Sequence, residues 1–253
     1  MDTHPWLRRL FSPLTHVPTA GPPVPSPVTV VILARDEERC IARCLDSVVG
    51  RGFDGVVVVD TGSLDRTTTI VAGYEGVDLV AAPWSGSFAE ARNVAIDHVR
   101  SGWIVFLDAD EWMDDRSAEQ LRTCLAVLGG LEDVDRLVFA PTIRNVGRDD
   151  AIDDVARIFR ADSGIRYRGA VHEYPVISGP VDESVGMIGV DVVFHHDGYE
   201  PAIVQGKRHR NLDLLRVARE EDPDNARWLH FLVRDGFPVL DRAEVLELCS
   251  TLG

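Results

Sequence analysis

Asp108 and Asp110 flank one small residue directly after the apolar run 103–107. Where a strand ends, the chain leaves the pleat, so both carboxylates can point into the same crevice. Two carboxylates in a partly dry site repel each other unless a cation lies between them. Mg²⁺ and Mn²⁺ prefer oxygen ligands and commonly complete their shell with substrate phosphates and water. The pair therefore indicates a divalent metal site or, alternatively, the cap of a helix that begins near Asp115.

Polar residues follow two further apolar runs in the same way. The segment 34–37 follows the run 28–33, and Asp60 follows the run 56–59. Continuous apolar runs of this length are typical of strands that are covered on both faces. In open α/β sheets, ligands bind outside the carboxyl ends of the strands. We therefore expect the three polar segments to meet at one edge of a sheet and to form a ligand site.

Strand patterns alternate with helical patterns over the first half of the chain. After the two strands above, further strands are predicted at 77–81 and 103–107, and helices at 37–49, 66–72 and 88–99. This alternation predicts right-handed β-α-β crossovers, an α/β fold and a mostly parallel sheet. Later segments resemble strands at 137–143, 156–159 and 191–196, and two or three helices follow them.

The formal charge of −15, from 41 acidic and 26 basic residues, disfavours partners that require a basic face. Nucleic acid and anionic membranes are such partners. A negatively charged protein that binds a nucleotide needs a local source of positive charge, such as a metal ion or clustered arginines. Lys207 is the only lysine, so a lysine nucleophile or a phosphate-binding lysine elsewhere in the chain is excluded.

The cysteines and the apolar segments bear on the compartment. Cys40, Cys44, Cys124 and Cys249 form no CxxC pair, so we interpret them as reduced, and the first two as a buried helix face. No uninterrupted apolar run reaches 18 residues, and the N-terminus lacks the apolar core of a secretory signal. We therefore expect a cytoplasmic protein without a transmembrane segment.

Four segments, in this order and at this spacing, together resemble the family 2 glycosyltransferases, which have the GT-A fold. They are residues 33–38, 57–63, 84–93 and 103–111. The resemblance covers about residues 28–145 well and continues more thinly to about residue 215. Four later segments are similar to peptide S-glycosyltransferases of the sublancin type and to lipopolysaccharide-core glucosyltransferases: residues 157–160, 168–173, 195–199 and 207–211.

The resemblance implies a GT-A catalytic domain at 28–202 between a proline-rich, extended leader at 1–27 and a helical segment at 203–253. It implies an inverting enzyme that uses Mg²⁺ or Mn²⁺ to transfer a hexose from a nucleotide diphosphate sugar, UDP-glucose or a related donor. The implied acceptor is a peptide side chain or a glycan. The alternative is a catalytically silent scaffold protein that binds a nucleotide sugar, and dimerisation through the helical segment stays open.

The resemblance also implies roles on the donor side of the site. The residues implied to contact the nucleotide are Ala34, Arg35, Glu37, Asp60, Arg92 and Asp108. Asp110 would ligate the metal, Asp108 would reach it through water, and His196 would contact the metal or the diphosphate. Lys207 and Arg210 are three residues apart on one helix face, where they would neutralise the departing diphosphate.

For the acceptor side, Glu173 is the implied general base, with His172 as the second choice. Each interpretation has a plainer alternative. His172 and Glu173 would form a structural hydrogen bond, and Glu37 would be a first-turn helix residue. In the same way, Arg92 would be solvated, His196 would pack against its neighbours, and the charges on the 207–210 helix would be ordinary surface charges.

Overall fold

The computed structural model describes residues 7–11, 19–197 and 201–250. Predictions for residues 1–6, 12–18, 198–200 and 251–253 lie outside the described residues, and these include much of the proline-rich leader and the end of the 195–199 segment. In the first half of the described chain, the strands are β1 (Leu7–Phe11), β2 (Val28–Ala34), β3 (Gly55–Asp60), β4 (Val77–Ala81), β5 (Trp103–Asp108) and β6 (Glu111–Trp112).

The second half contributes shorter strands and one long one. They are β7 (Leu137–Asn145), β8 (Ala151–Ile152), β9 (Ile158–Arg160), β10 (Ile165–Arg168), β11 (Tyr174–Ile177), β12 (Glu183–Ser184) and β13 (Gly186–His196). The helices are α1 (Ile41–Asp46), α2 (Thr67–Val71), α3 (Phe88–His98), α4 (Asp115–Leu128), α5 (Pro201–Glu221), α6 (Ala226–Gly236) and α7 (Arg242–Ser250), with a short 3₁₀ helix at Val134–Arg136.

Ten strands form one sheet, in the order β1-β13-β7-β9-β5-β2-β3-β4, with β6 beside β13 and β8 beside β7. The neighbours β5, β2, β3 and β4 are all parallel, as the alternating pattern predicted. Strand β9 joins the sheet antiparallel to β5 and β7, which makes the whole sheet mixed. The α/β fold class is confirmed.

The register of the parallel strands places the predicted polar segments side by side. Leu33 near the end of β2 pairs with Asp108 at the end of β5, and Ala34 pairs with Asp60 at the end of β3. Because all three strands end at the same level, the segments that follow them share one edge of the sheet. This register builds the floor of the site described below.

Alternate residues of β2 enter two different apolar clusters, as expected for a strand covered on both faces. Val30 and Ile32 belong to the cluster that includes Ile41 of α1 and Leu121 of α4. Val31 lies in the cluster on the opposite face, which includes residues of α3. The core therefore continues through both faces of the sheet and holds the strand ends rigidly.

Helix α1 is shorter than the predicted helix 37–49. At its amino end, the backbone N–H groups of Glu37 and Glu38 donate to side chains of the 61–67 segment, Thr67 Oγ1 (2.8 Å) and Asp65 Oδ2 (2.9 Å). These bonds satisfy two donors at the amino end of the helix, and the carbonyl of Glu37 begins the first turn by accepting from the backbone N–H groups of Cys40 and Ile41. The segment is thereby fixed to the loop after β3.

Three further parts of the chain pack around the parallel strands, and the strands in the first two of them were not predicted. Within the leader, β1 pairs antiparallel with β13 at the sheet edge. The segment 165–184, which gave no strand pattern, forms a separate antiparallel sheet of β10, β11 and β12. Helices α5 and α6 pack through a third apolar cluster, which also contains Val171 of the loop between β10 and β11. None of the described helices has both the length and the apolar character needed to cross a membrane.

Candidate active site

A cavity of about 670 Å³ lies at the carboxyl ends of β2 and β5. It is also lined by the loop before β11, by one face of α5 and by α6. The predicted site residues that line it are Ala34, Arg35, Glu37, Arg92, Asp108, Asp110, His172, Glu173, Lys207 and Arg210. The two remaining predicted residues, Asp60 and His196, are not among its lining residues. Residues up to 176 positions apart in the sequence (34 to 210) thus meet at the expected sheet edge.

Both oxygens of the Asp108 carboxylate accept hydrogen bonds from Arg157. Arg157 Nη1 is 2.8 Å from Oδ1, and Nη2 is 2.5 Å from Oδ2. Arg92 Nη2 approaches Oδ1 at 3.4 Å. Burial raises the pKa of Asp108, but the charges of Arg157 and Arg92 outweigh it and hold the pKa well below its usual range. Asp108 is therefore ionised and fixed by the protein itself.

A second carboxylate, that of Glu111, contacts both Arg157 and the backbone of Asp108. It is 2% exposed, and its Oε1 accepts from Arg157 Nη2 at 2.9 Å while Oε2 accepts the backbone N–H of Asp108, also at 2.9 Å. Burial raises the pKa of Glu111 to about 7, against the opposing charge of Arg157. The guanidinium thus bridges two carboxylates and sets the orientation of the chain directly after β5.

Asp110 has different partners from Asp108. Its Oδ2 accepts from Lys207 Nζ at 2.9 Å and lies 3.4 Å from His196 Nε2. Burial raises the pKa of Asp110, but the hydrogen bond from His196 and the charge of Lys207 outweigh it and lower the pKa. The alternative role as a helix cap is wrong, because Asp114 caps α4 by accepting the backbone N–H of Ser117 at 2.7 Å.

The ring of His196 is oriented by Asn145. Asn145 Nδ2 donates to Asp150 Oδ1 at 3.0 Å, so its Oδ1 is the atom that faces His196 Nδ1, also at 3.0 Å. Because this oxygen can only accept, Nδ1 of His196 carries a proton and Nε2 faces Asp110. The hydrogen bond to Asp110 needs a second proton on Nε2, and a cation between the two groups would take the place of that proton. Metal-binding histidines are commonly held through their second nitrogen in this way.

Asp110 and His196 are the donor set that fits a divalent cation best. Among the described residues, no group of three or more His, Cys, Asp or Glu side chains is arranged to hold a metal ion. Mg²⁺ sites commonly use one or two carboxylates together with substrate phosphates and water. The pair therefore fits a site that the donor diphosphate would complete, whereas Arg157 already binds both oxygens of Asp108.

Arg92 is a buried residue, so the alternative of a solvated helix arginine is wrong. It is 7% exposed, and its guanidinium lies over the rings of Phe106 (4.9 Å) and Tyr167 (5.4 Å). Arg92 Nε donates to Glu173 Oε1 at 2.7 Å. Arg92 thus links Asp108 to Glu173, the predicted general base.

Glu173 and His172 are neighbours in the chain but do not bond to each other. Glu173 is bound by Arg92, whereas His172 Nε2 is 2.5 Å from Asp235 Oδ2 on α6. The alternative of a structural His–Glu hydrogen bond is therefore not observed. Both side chains line the cavity.

The predicted side chains of Arg35, Glu37 and Arg210 line a further part of the cavity. Arg210 lies over the ring of Phe88 at 4.8 Å, and burial together with the nearby charge of Arg35 lowers its pKa. Glu37 accepts from Cys40 Sγ at 3.0 Å, and burial raises its pKa. Within the described part of the chain, Arg210 forms no ion pair with a carboxylate, so its charge is available to an anionic ligand.

Asp60 lies beside the cavity, where it shapes the loop after β3. Its carboxylate accepts the backbone N–H groups of Gly62 (3.1 Å) and Ser63 (3.2 Å). Gly62 has a φ of 105°, which glycine adopts without strain. The contact of Asp60 with the base of a nucleotide stays a prediction.

Comparison with protein families gives this arrangement its context. Residues 29–124 match the model of the family described as glycosyl transferase family 2. This part of the chain is therefore similar to family 2 glycosyltransferases. The match contains the ends of β2, β3 and β5, and with them Asp60, Asp108 and Asp110.

The chain is similar in sequence to several named proteins. The chain is 28% identical over 221 residues to the SPbeta prophage-derived glycosyltransferase SunS of Bacillus subtilis, a match that covers 86% of this chain and 50% of SunS. It is 29% identical over 104 residues to the lipopolysaccharide core biosynthesis glycosyltransferase LpsC of Rhizobium meliloti, covering 40% of this chain and 37% of LpsC. The chain thus spans about half the length of SunS, and its match to LpsC covers 37% of that protein.

Solved structures show the same fold. The chain is similar to S. aureus TarS 1–349 in complex with UDP, with a TM-score of 0.51 and 17% identity, over 83% of this chain and 70% of that chain. A mycobacterial protein matches with a TM-score of 0.51 and 16% identity, over 75% of this chain and 74% of that chain. The predicted GT-A fold is confirmed.

Sequence reasoning missed several residues of this site. Arg157 and Glu111 were within quoted motifs, but nothing in the sequence showed that they would bond to each other and to Asp108. Asn145, Asp235 and Phe231 gave no signal, because their contacts to the predicted histidines join distant parts of the chain.

Proposed function

We propose that the chain transfers a hexose from a UDP-sugar to a peptide side chain or a glycan, with inversion at the anomeric carbon. The observation that carries the proposal is the convergence of Asp110, His196 and Lys207 beside the cavity at the strand ends. A family 2 domain over residues 29–124 supports glycosyl transfer. The UDP complex of TarS, which shares this fold, supports UDP as the nucleotide.

Asp110 and His196 would hold Mg²⁺ or Mn²⁺ together with the diphosphate. When bound, the cation would supply positive charge to the leaving diphosphate as the glycosidic bond breaks. The chain's own contribution is to keep both groups in place: Asn145 orients the His196 ring, and Arg157 keeps Asp108 ionised beside them. Asp108 would reach the ribose, or the cation through water.

Lys207 and Arg210 of α5 would also bind the diphosphate. Lys207 Nζ is already 2.9 Å from Asp110, and Arg210 has no carboxylate partner among the described residues. Both groups are partly removed from water, so their attraction to a diphosphate is weakly screened. Arg35 would add charge at the entrance, with Ala34, Glu37 and Asp60 towards the nucleoside.

Glu173 and His172 would face the acceptor. A carboxylate or a neutral imidazole at this position can take the acceptor's proton as the new bond to the anomeric carbon forms. Attack from the side opposite the diphosphate gives inversion. A thiol acceptor would need less assistance than a hydroxyl, since thiols ionise more readily.

The second candidate is a silent scaffold protein that binds a nucleotide sugar without transfer. It shares every donor contact above and differs only on the acceptor side. Because Arg92 fixes Glu173, and Asp235 bonds to His172, both acceptor-side groups are held in the cavity. This arrangement favours the enzyme.

The test is binding and turnover of UDP-glucose with Mn²⁺ or Mg²⁺. We expect UDP and UDP-glucose to raise the unfolding temperature more with the cation than with EDTA, because a ligand that binds only the folded state stabilises it. Release of UDP from UDP-glucose, with water or a candidate acceptor, measures turnover. Asp110→Asn should remove the effect of the cation on both readouts.

Asp97→Asn is the matched control, because Asp97 is an exposed aspartate that pairs with Arg166 away from the cavity. It should bind and turn over the donor as the wild type does. Binding without any release of UDP or transfer would favour the scaffold protein. Absence of UDP binding under all conditions would overturn the proposal.

A further inference from the structure

Helix α6, from the C-terminal helical segment, packs directly on the loop that carries the predicted base. Gly169 has a φ of +93°, and the Trp228 ring comes so close that an added Cβ would lie 2.8 Å from it. Arg227 Nη2 donates to the backbone oxygen of His172 at 2.7 Å. Val171 joins Trp228 in the apolar cluster under α6. The loop 169–173 and α6 therefore form one packed unit.

The contacts of His172 itself come from the same helix. Its ring stacks on Phe231 with the centroids 4.1 Å apart, and its Nε2 is 2.5 Å from Asp235 Oδ2. His172 has a φ of 49°, a left-handed conformation that a residue other than glycine adopts only when its surroundings hold it there. These contacts on α6 supply that restraint.

Asp235 determines which nitrogen of His172 carries the proton. The pKa of Asp235 is lowered, because the hydrogen bonds from His172 and Arg234 outweigh the effect of burial. An ionised carboxylate can only accept, so His172 Nε2 must donate and the lone pair of the neutral ring lies on Nδ1. Arg234 Nη2, which can only donate, is 3.4 Å from Nδ1 and 3.2 Å from Nε2.

Glu173 is less free than His172 to accept a proton from the acceptor. Its carboxylate is bound by the buried Arg92 at 2.7 Å, and Arg92 also approaches Asp108. A proton on Glu173 would weaken this ion pair. A proton on His172 would instead strengthen its contact with Asp235, as in other His–Asp pairs that act as bases.

We propose that Asp235 is a positioning residue that keeps a proton on Nε2 of His172, so that Nδ1 of His172 rather than Glu173 accepts the proton of the acceptor. The proposal rests on the glycosyl transfer proposed above. The acceptor O–H or S–H gives its proton to His172 Nδ1 while its electron pair forms the bond to the anomeric carbon. The bond from that carbon to the diphosphate oxygen breaks, and its electrons leave with UDP. The imidazolium then returns its proton to water.

The other charged groups around His172 fit this role. Arg234 is half exposed and pairs with Asp235 at 2.8 Å, so an entering acceptor can displace it from the ring edge. Arg227 bonds to the His172 backbone oxygen and lies over Tyr174 and Phe231, at 4.4 and 4.9 Å. Glu173, the remaining neighbour, is paired with Arg92. Asp235 is thus the carboxylate that contacts the His172 ring.

The direct test is the ¹⁵N spectrum of the histidine rings in the full chain, with His172 assigned by its absence in His172→Gln. We expect the Nε2–H form in the wild type. Asp235→Asn should shift His172 towards the Nδ1–H form, because the amide can donate to Nε2. Asp235→Glu should restore the wild-type form. An Nδ1–H ring in the wild type, or a spectrum unchanged by Asp235→Asn, would overturn the proposal.

Turnover provides the second readout, as UDP release from UDP-glucose at saturating donor. Asp235→Asn should lower kcat about 10- to 100-fold and move the pH dependence of kcat, while His172→Gln should lower kcat about 100-fold or more. The KM for UDP-glucose should stay within about twofold, because donor contacts are unchanged. Asp213→Asn, on the exposed face of α5, is the control and should match the wild type.

Two results separate this inference from the function on which it rests. If Glu173→Gln abolishes turnover while His172→Gln leaves it unchanged, UDP-glucose is a substrate but the base is not His172. If UDP does not bind to the wild type at all, the proposed function fails, whatever the ring spectra show. Thermal unfolding of each variant identifies any loss of activity that is due to unfolding of α6.

Discussion

Asp108 and Asp110 are two residues apart, yet the protein uses their charges differently. Asp108 is neutralised internally by Arg157, whereas Asp110 lies beside Lys207 and His196 at the cavity. Their side chains leave the end of one strand in different directions, so each meets a different set of partners. Both carboxylates line the cavity, but Arg157 holds both oxygens of Asp108, whereas Asp110 fits a cation.

Arg157→Leu should strongly destabilise the fold. The substitution leaves Asp108 and the buried Glu111 without their shared cation, and breaking a buried pair in this way costs about 3–5 kcal/mol. Urea unfolding followed by circular dichroism measures the change in the free energy of unfolding. Arg166→Leu, which removes a partly exposed pair with Asp97, should change it by less than about 1 kcal/mol. Equal effects of the two variants would contradict the structural role of Arg157.

At the scale of elements, two junctions build the site. The parallel register of β2, β3 and β5 aligns the strand ends, and the packing of α6 on the loop 169–173 places His172 and Glu173. The first junction follows from hydrogen bonding between neighbouring strands. The second depends on side-chain shape, in particular on the close approach of Trp228 to Gly169.

Gly169→Ala should loosen α6 from that loop. A left-handed backbone costs a non-glycine residue about 1–2 kcal/mol, and the clash with Trp228 adds about 1–3 kcal/mol. Gly164→Ala is the matched control, since Gly164 has a φ of +78° but no atom within 4 Å of the added Cβ. Thermal unfolding should show the larger loss for Gly169→Ala. A loss no greater than that of Gly164→Ala would show that the contact with Trp228 does not fix α6.

At the scale of the whole molecule, the charge of −15 contrasts with the cations gathered at one cavity. Arg35, Arg92, Arg157, Lys207, Arg210, Arg227 and Arg234 all line it. The overall charge keeps polyanions away from the surface, while the local cations attract a small anionic ligand. One continuous core cluster holds this arrangement together by joining α1 and α4 on the same face of the sheet.

Because this core is shared, Cys44 of α1 and Cys124 of α4 should become reactive together. Both thiols are fully buried, and burial raises the pKa of Cys124 to about 12 and that of Cys44 well above its usual range. Short pulses of iodoacetamide at increasing urea, followed by mass spectrometry, should label both at the same midpoint. Labelling of Cys124 at lower urea would show that α4 opens independently of the core.

The sequence by itself determined the α/β class, the strands β2 to β5 and the edge of the sheet at which a ligand would bind. These features depend on local information: apolar runs of strand length, helical periodicity and polar residues directly after each run. It also indicated ten of the residues that line the cavity, since the segments that contain them resembled a known family. The three helices of the C-terminal segment were within the predicted range.

Only the tertiary structure decided how these residues are paired. Arg157 and Asp108 are 49 positions apart, and His172 and Asp235 are 63 apart, so no local pattern relates them. The same holds for β1, which joins the sheet through β13, and for the small sheet of β10 to β12. Whether a hydrogen bond or an ion pair forms depends on differences of a few tenths of an ångström in the distance between two groups. The packing of whole elements sets these distances, and residue type alone does not.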